Sequence, residues 1–380
     1  MQYYRLSTNK EFSCIGAKCP DTCCAGWNID VDKQAGDSYL KEGGEFGDKL
    51  RASIVPFSKQ YRIKLDKDGR CPMLTDKNLC EIYQNLGKDK MCMVCKTYPR
   101  FIIAATENCS FAGYSLSCPE AAGRLLSQKE PAKISLYEKG ENMPVSKEKQ
   151  EHFDNLMAGL KLSLGILQYR KLSITERLRL LIFFNDMYEG CLKRGGNGEE
   201  LLRTFSDVKQ LESISASLKS MEKNPLKLTK FLLAVCHEIL YFQGGGRLKR
   251  ISDGIAGIIC SCGAERFDLQ GTLRHIRNKK YEIRFEQYLS YYLYFCYMNA
   301  MTDYDIMECV AEVVHMYCIH ACFLAVLTEE KGSRLSFEEQ IAVYTAAARA
   351  LQHNKESKER LRKICEEEGF MKTEELLALL

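Results

Sequence analysis

Ten of the nineteen cysteines in this 380-residue chain fall between Cys14 and Cys118. Four of them lie in eleven residues, Cys14-Ile-Gly-Ala-Lys-Cys19-Pro-Asp-Thr-Cys23-Cys24, with Gly26-Trp27 behind them. Cys71-Pro-Met-Leu and Cys80-Glu-Ile-Tyr follow, then Cys92-Met-Val-Cys95 running into Tyr98-Pro99-Arg100, and last Ser117-Cys118-Pro119-Glu120-Ala121. A lone cysteine usually packs as a small apolar core residue. Thiolates three to five positions apart in loops with glycine and proline can instead turn back onto one metal. An iron–sulfur cluster takes four of them, and structural zinc takes four in a tetrahedron. Eight or more clustered cysteines exceed one such site, so either there are two centres or some thiols are buried bystanders. No histidine precedes His152, which excludes a mixed Cys/His zinc site built from this zone alone. Thiolate-only ligation suits zinc as well as iron.

The rest of the chain has a different texture. The first zone, residues 1–126, holds most of the turn-formers, among them Pro20, Gly43-Gly44, Pro56, Gly69, Pro72 and Pro99. Residues 127–150 are polar, rich in lysine and glutamate, and read as a linker with short local structure at most. From residue 151 to 380 the apolar spacing is helical: Leu160, Leu164, Leu167 and Leu172, then Leu178, Leu181, Ile182 and Met187, ending at Gly195-Gly196-Asn197-Gly198. Leu228–Phe242, Phe285–Met301, Ile306–Leu327 and Phe337–Gln352 are each long and apolar enough on one face to pack as helices. There is no internal repeat and no βα alternation. The expected fold is mainly α: an irregular cysteine-rich metal-binding zone followed by a helical region.

A net charge of +4 with dispersed basic residues lacks the stripe of a nucleic-acid binder. The N-terminal Met1-Gln2-Tyr3-Tyr4-Arg5 has no signal-peptide apolar run. The apolar stretch Ile306–Leu327 carries Glu308, Glu312, His315 and His320, which argues against a membrane span. The expectation is a cytoplasmic protein with no membrane or nucleic-acid partner. In that reducing setting clustered cysteines point to metal binding or catalysis.

Phe12-Ser-Cys14 through Gly26-Trp27 resembles the opening of the flagellin lysine-N-methylase family. So do Cys71-Pro-Met-Leu with Leu79-Cys80, Cys95-Lys-Thr-Tyr-Pro99-Arg100 and Leu116-Ser-Cys118-Pro-Glu-Ala. The spacing is also similar to that of a wider family of zinc- or iron-chelating proteins with a cysteine-rich core. The clear match covers residues 12–122; Phe285-Glu-Gln-Tyr288-Leu-Ser-Tyr291-Tyr292 resembles a further segment. The resemblance implies methyl transfer from S-adenosylmethionine to lysine side chains of flagellin, with a 4Fe–4S cluster involved. It carries metal-ligand roles to Cys14, Cys19, Cys23, Cys24, Cys71, Cys80, Cys95 and Cys118, with zinc as the alternative metal. Cys92 and Cys109 lie outside the pattern.

The donor site is not legible. No glycine-rich loop opens a βαβ unit, and Gly244-Gly245-Gly246 reads as a flexible turn. Cys19-x-x-x-Cys23 matches the first half of the radical-enzyme motif Cys-x-x-x-Cys-x-x-Cys, but Gly26 stands where the third cysteine belongs. His315, Cys318 and Cys322 at helical spacing read as an apolar packed face. Cys260-Ser-Cys262 reads as a turn, and Tyr288, Tyr291 and Tyr292 as core or interface aromatics. Arg100 is either a carboxylate clamp or structural. Tyr98, Glu120, Glu286 and Tyr288 are unplaced candidate bases. The competing function is a non-enzymatic zinc- or iron-chelating carrier or binding module. Against it stand the roughly 230 residues beyond the linker, which a bare chelator does not need.

Overall fold

The computed structural model describes residues 2–8, 12–139, 146–219, 224–243, 253–257, 278–351 and 355–380. The protein is mainly α and divides into two units. One, the cysteine unit, comprises Glu11–Phe101 and Tyr114–Ala121; the other, the helical unit, comprises Met1–Lys10, Ile102–Gly113 and Ala122–Leu380. Gly244-Gly246 and Cys260-Cys262 lie outside the described residues.

The cysteine unit is built of short pieces. Helices α1 (Lys33–Leu40) and α2 (Gly44–Ser53) lie in sequence between the first and second strands of a three-stranded antiparallel sheet in the order β2 (Asp30–Val31), β4 (Gln60–Ile63), β3 (Ile54–Phe57). Single-turn helices α3 (Glu81–Leu86) and α4 (Met93–Thr97) follow. Asp32 ties these together. One carboxylate oxygen caps α1 at the Ala35 N–H (3.0 Å) and the other accepts from Met93 N–H at the start of α4 (2.7 Å). Burial opposes charge on Asp32, but these amide donors outweigh it and hold its carboxyl below the usual range.

The helical unit begins with a sheet. Strand β1 (Gln2–Leu6) runs parallel to β6 (Cys109–Tyr114) and antiparallel to β7 (Ile134–Lys139); β5 (Arg100–Ala104), within which the chain passes from one unit to the other, flanks β6. The segment read as a linker thus supplies a strand and the first residues of α6. Helices α6 (Lys147–Leu167) and α7 (Ile174–Lys193) follow, after α5 (Pro119–Leu126). Ser173 and Glu176 close a reciprocal capping box on α7. Then come α8 (Glu199–Ser206), α9 (Val208–Leu218) and α10 (Pro225–Gln243). Gly159 of α6 lets Tyr188 and Tyr297 in close: a Cβ there would meet them at 2.6 and 2.5 Å.

The centre of the unit is α11 (Lys279–Cys296) and α12 (Ile306–Lys331), with α13 (Phe337–Leu351), α14 (Lys355–Glu367) and α15 (Thr373–Ala378) after them. Tyr294 of α11 donates its hydroxyl to the carbonyls of Tyr4 and Ala112, fastening helix to sheet. Helix α12 is long and apolar enough to cross a membrane, but 89% of its most apolar window is buried within the protein, as a core helix's would be. A disulfide joins Cys296 to Cys309. Spacing did not single out this pair, which has no companion sulfur motif.

Two imidazoles lie inside this core. His315 Nε2 faces the Phe370 carbonyl at 3.0 Å, and His320 Nδ1 faces the Met316 carbonyl at 2.8 Å. Burial lowers both to about 4. The folded chain therefore refuses protons that the unfolded chain binds below its own pKa of about 6.5. Stability is full above that value and falls as pH drops from about 6.5 towards 4, by a few kcal/mol in all. Urea midpoints measured from pH 7 to pH 4.5 should decline steadily; a flat profile would contradict the buried neutral state.

Candidate metal centre

The residues that hold the thiols come together from four chain segments, and backbone hydrogen bonds do most of the positioning. Gly16–Lys18 make one 3-10 turn, with Cys19 at its end and Cys14 Sγ accepting from the Gly16 N–H at 3.4 Å. The Cys24 N–H is held by Thr22 Oγ1 (3.0 Å), and the Cys23 carbonyl by the Trp27 indole N–H (2.6 Å). The Cys71 N–H donates to the Cys24 carbonyl at 2.7 Å beside an isolated bridge from Ala25 to Arg70. A second bridge, Leu74 to Cys80, folds the Cys71 loop over so that Cys80 stands immediately before α3. Cys92 stands immediately before α4 and Cys95 sits one turn on.

Around Cys118 the chain is pinned by hydroxyls. Tyr98 and Ser117 share a hydrogen bond of 2.9 Å, and Ser115 and Ser117 one of 2.8 Å. The Tyr98–Pro99 peptide is cis. Arg100 donates to the Phe12 carbonyl at 2.8 Å and lies over the Phe12 ring. These contacts tie Arg100 to the start of the cysteine run.

The thiols fall into two neighbourhoods. Cys23 lies close enough to Cys14 and Cys118 to act on them electrostatically, and Cys118 in turn to Cys14 and Cys19. Cys24, Cys71, Cys80, Cys92 and Cys95 act on one another in the same way. Two thiol pairs interact directly: Cys23 with Cys24, across the two neighbourhoods, and Cys92 with Cys95, within the second. A hydrogen bond to Cys24 raises the Cys23 thiol, and burial adds to it; the same bond brings Cys24 down to about 7, helped by Thr22 and Arg70. The Cys95 thiol is raised by its bond to Cys92, which is lowered correspondingly. Burial pushes Cys71 up to about 12 and raises Cys80 and Cys118.

Among the described residues, no three histidine, cysteine, aspartate or glutamate side chains are gathered tightly enough to hold a metal ion as they stand. The donor chemistry nevertheless fits a thiophilic metal: nine thiols lie in this unit, and no histidine precedes His152. Metal ligation by these thiols would require that they lose their protons.

All eight cysteines singled out by the resemblance, Cys14, Cys19, Cys23, Cys24, Cys71, Cys80, Cys95 and Cys118, lie in this unit. Cys92 joins them, and its signal was the Cys92-Met-Val-Cys95 spacing. Cys109 does not: it is buried in β6, in the helical unit, 4.0 Å from the Gln2 side chain. His315, Cys318 and Cys322 are core residues of α12. Tyr288, Tyr291 and Tyr292 are buried in α11. Glu286 is engaged by Arg170 and Arg177 and has no free oxygen for base chemistry.

The chain thus pairs a mainly helical unit with a smaller unit that carries nine free thiols. Residues 161–379 match the family model described as the FliB lysine N-methylase C-terminal domain. A flagellar biosynthetic protein FliU of Salmonella muenchen is 32% identical over 134 residues, which are 34% of this chain and 78% of that protein. Lysine-N-methylases of Salmonella typhimurium and Salmonella choleraesuis are each 31% identical over 134 residues, 34% of this chain and 33% of theirs. The alignment thus spans about a third of the length of these two methylases. No solved structure matches the chain. The chain belongs to the FliB lysine N-methylase family.

Proposed function

We propose that this protein is a cytoplasmic S-adenosylmethionine-dependent protein-lysine methylase acting on flagellin, with a cysteine-ligated 4Fe–4S cluster in its cysteine unit. The observation that carries the reading is the coincidence, in one chain, of a lysine N-methylase C-terminal domain with nine thiols gathered in a separate unit. A bound cluster would supply an iron able to take the amino and carboxylate groups of the donor. The protein's own task is the acceptor. A lysine ε-amine is nucleophilic only when neutral, and its ordinary pKa is about 10.4, so it must be desolvated or meet a base before a methyl can move. Of the candidate bases, Glu286 is committed to its ion pairs, which leaves Tyr98, Glu120 and Tyr288.

The test is anaerobic purification with iron and sulfide assays, then co-expression with flagellin and mass spectrometry of the flagellin lysines. Methylated lysines and a broad visible band are expected. Unmodified lysines beside a metal-loaded protein would favour the chelating binding module instead. A colourless loaded protein would put zinc in place of the cluster, because zinc is d¹⁰.

A further inference from the structure

Cys23 and Cys24 are neighbours in sequence, yet they face different company. Cys24 is tied by its carbonyl to the Cys71 backbone and packs, with Cys80 and Cys95, against a core containing Cys71, Cys92, Ile29, Leu50, Ile63, Met73 and Ile82. Cys118 packs in a separate small cluster with Phe12, Ala121, Tyr98 and Tyr114. Phe12 stands two residues before Cys14, and the Cys23 thiol lies near both Cys14 and Cys118. The two sets also differ in exposure. In the first set Cys14 and Cys23 are exposed, Cys19 is half-buried and Cys118 is buried; in the second none is exposed, Cys71 and Cys92 being buried and Cys24, Cys80 and Cys95 half-buried. Cys23 and Cys24 are consecutive, so the sets meet at this dipeptide.

Four thiolates complete one iron–sulfur cluster or one zinc site. The outer set offers four and the inner set five, and no single ion or cluster uses nine. Resting on the metal-binding reading above, we infer that the cysteine unit holds two separate thiolate metal centres. The outer one is ligated by Cys14, Cys19, Cys23 and Cys118. The inner one is drawn from Cys24, Cys71, Cys80, Cys92 and Cys95. The Cys23–Cys24 peptide divides them. The outer centre opens to solvent and is the one a donor or reductant can reach; the inner centre lies in the unit's apolar core and holds its loops together. Cys92, outside the pattern carried by the family resemblance, is a ligand-set member of the inner centre.

The full-length protein, purified anaerobically, is challenged with excess chelator while iron, zinc and sulfide release are followed. Two phases of similar amplitude are expected, the fast one from the exposed set. Cys14→Ser/Cys118→Ser should abolish the fast phase and keep the slow one. Cys80→Ser/Cys92→Ser should lose the slow one. Absorption during each phase tells a coloured iron–sulfur centre from colourless zinc. A single release phase in the wild type, or loss of all metal from the outer variant while its circular dichroism stays native, would overturn the inference in favour of one shared centre. Full metal retention by either variant would overturn it too, by removing that set from ligation. Wild-type protein that takes up no metal sinks the underlying metal reading itself, and so is told apart from a failure of the division. If the inner variant does not fold, the wild-type phases and the outer variant decide alone.

Discussion

Replacing Cys23 and Cys24 together with serine is expected to strip most of the metal and to unfold the cysteine unit while the helical unit stays folded. The physical reason is that this unit has little else to hold it. Its helices are one to three turns long, its sheet strands are two to four residues long, and much of residues 12–27 is irregular. Where a region is that sparse, metal-binding free energy is folding free energy. Loss of a mere outer-shell partner costs about 10–100-fold in metal affinity; losing a thiolate from each set should cost more. Metal analysis, together with hydrogen exchange over residues 12–101 and 114–121 against exchange in α6–α13, reads out both halves of the expectation. A double variant with full metal and unchanged protection would show that these residues are not ligands.

The second large effect is purely structural. Glu286 of α11 accepts from Arg170 Nε and Nη2 at 2.9 and 2.8 Å, and from Arg177 Nη1 at 3.0 Å. Arg177's side chain is 1% exposed and Arg170's 32%. Arg177 keeps a bond to the Leu167 carbonyl at 2.6 Å, but its Nε has no partner. Burial lowers its pKa, and Glu286 offsets that. Glu286→Ala leaves a buried guanidinium without its ion-pair partner, with only the more distant Glu282 acting on it, and breaking a buried pair in this way costs about 3–5 kcal/mol. Arg170→Ala should cost much less, since its partner keeps Arg177 and water reaches the site. Equilibrium urea unfolding of the helical unit measures both. A Glu286→Ala variant within about 0.5 kcal/mol of wild type, the range of an ordinary surface substitution, would refute the account.

The helical half was largely legible in the sequence because its signal is local. Leu160, Leu164 and Leu167 lie on α6, and Leu178, Leu181 and Ile182 on α7, which ends before the Gly195–Gly198 breaker. The later stretches correspond to α10, α11, α12 and α13. What the spacing missed is held by distant partners. Strand β1 pairs with residues more than a hundred positions away, and a five-residue strand carries no period that announces such a pairing. Helices α1 and α2 went unread because Gly36, Gly43, Gly44 and Gly47 look like turns. At the candidate centre, sulfur spacing showed which residues gather but not their partition. The partition depends on the Cys24–Cys71 and Leu74–Cys80 backbone pairings, which leave no mark in the spacing.

The pairing of β1 with β6 and β7 also sets a timetable. Tyr3 finds Ser110 in one direction and Glu138 in the other, so the first strand has no sheet to join until more than a hundred further residues have left the ribosome. By then every thiol from Cys14 to Cys95 has been made, whereas α11, whose Tyr294 fastens the sheet, is still to come. Chains emerge N-terminus first, at about 5–20 residues per second. The cysteine segment therefore spends on the order of ten seconds or more as a nascent chain without its helical partner sequence. Metal delivery during that interval would meet an open segment, and a cell short of iron or sulfide would be expected to accumulate chains whose helical part is complete but whose sulfur-rich part is empty and exposed to proteolysis.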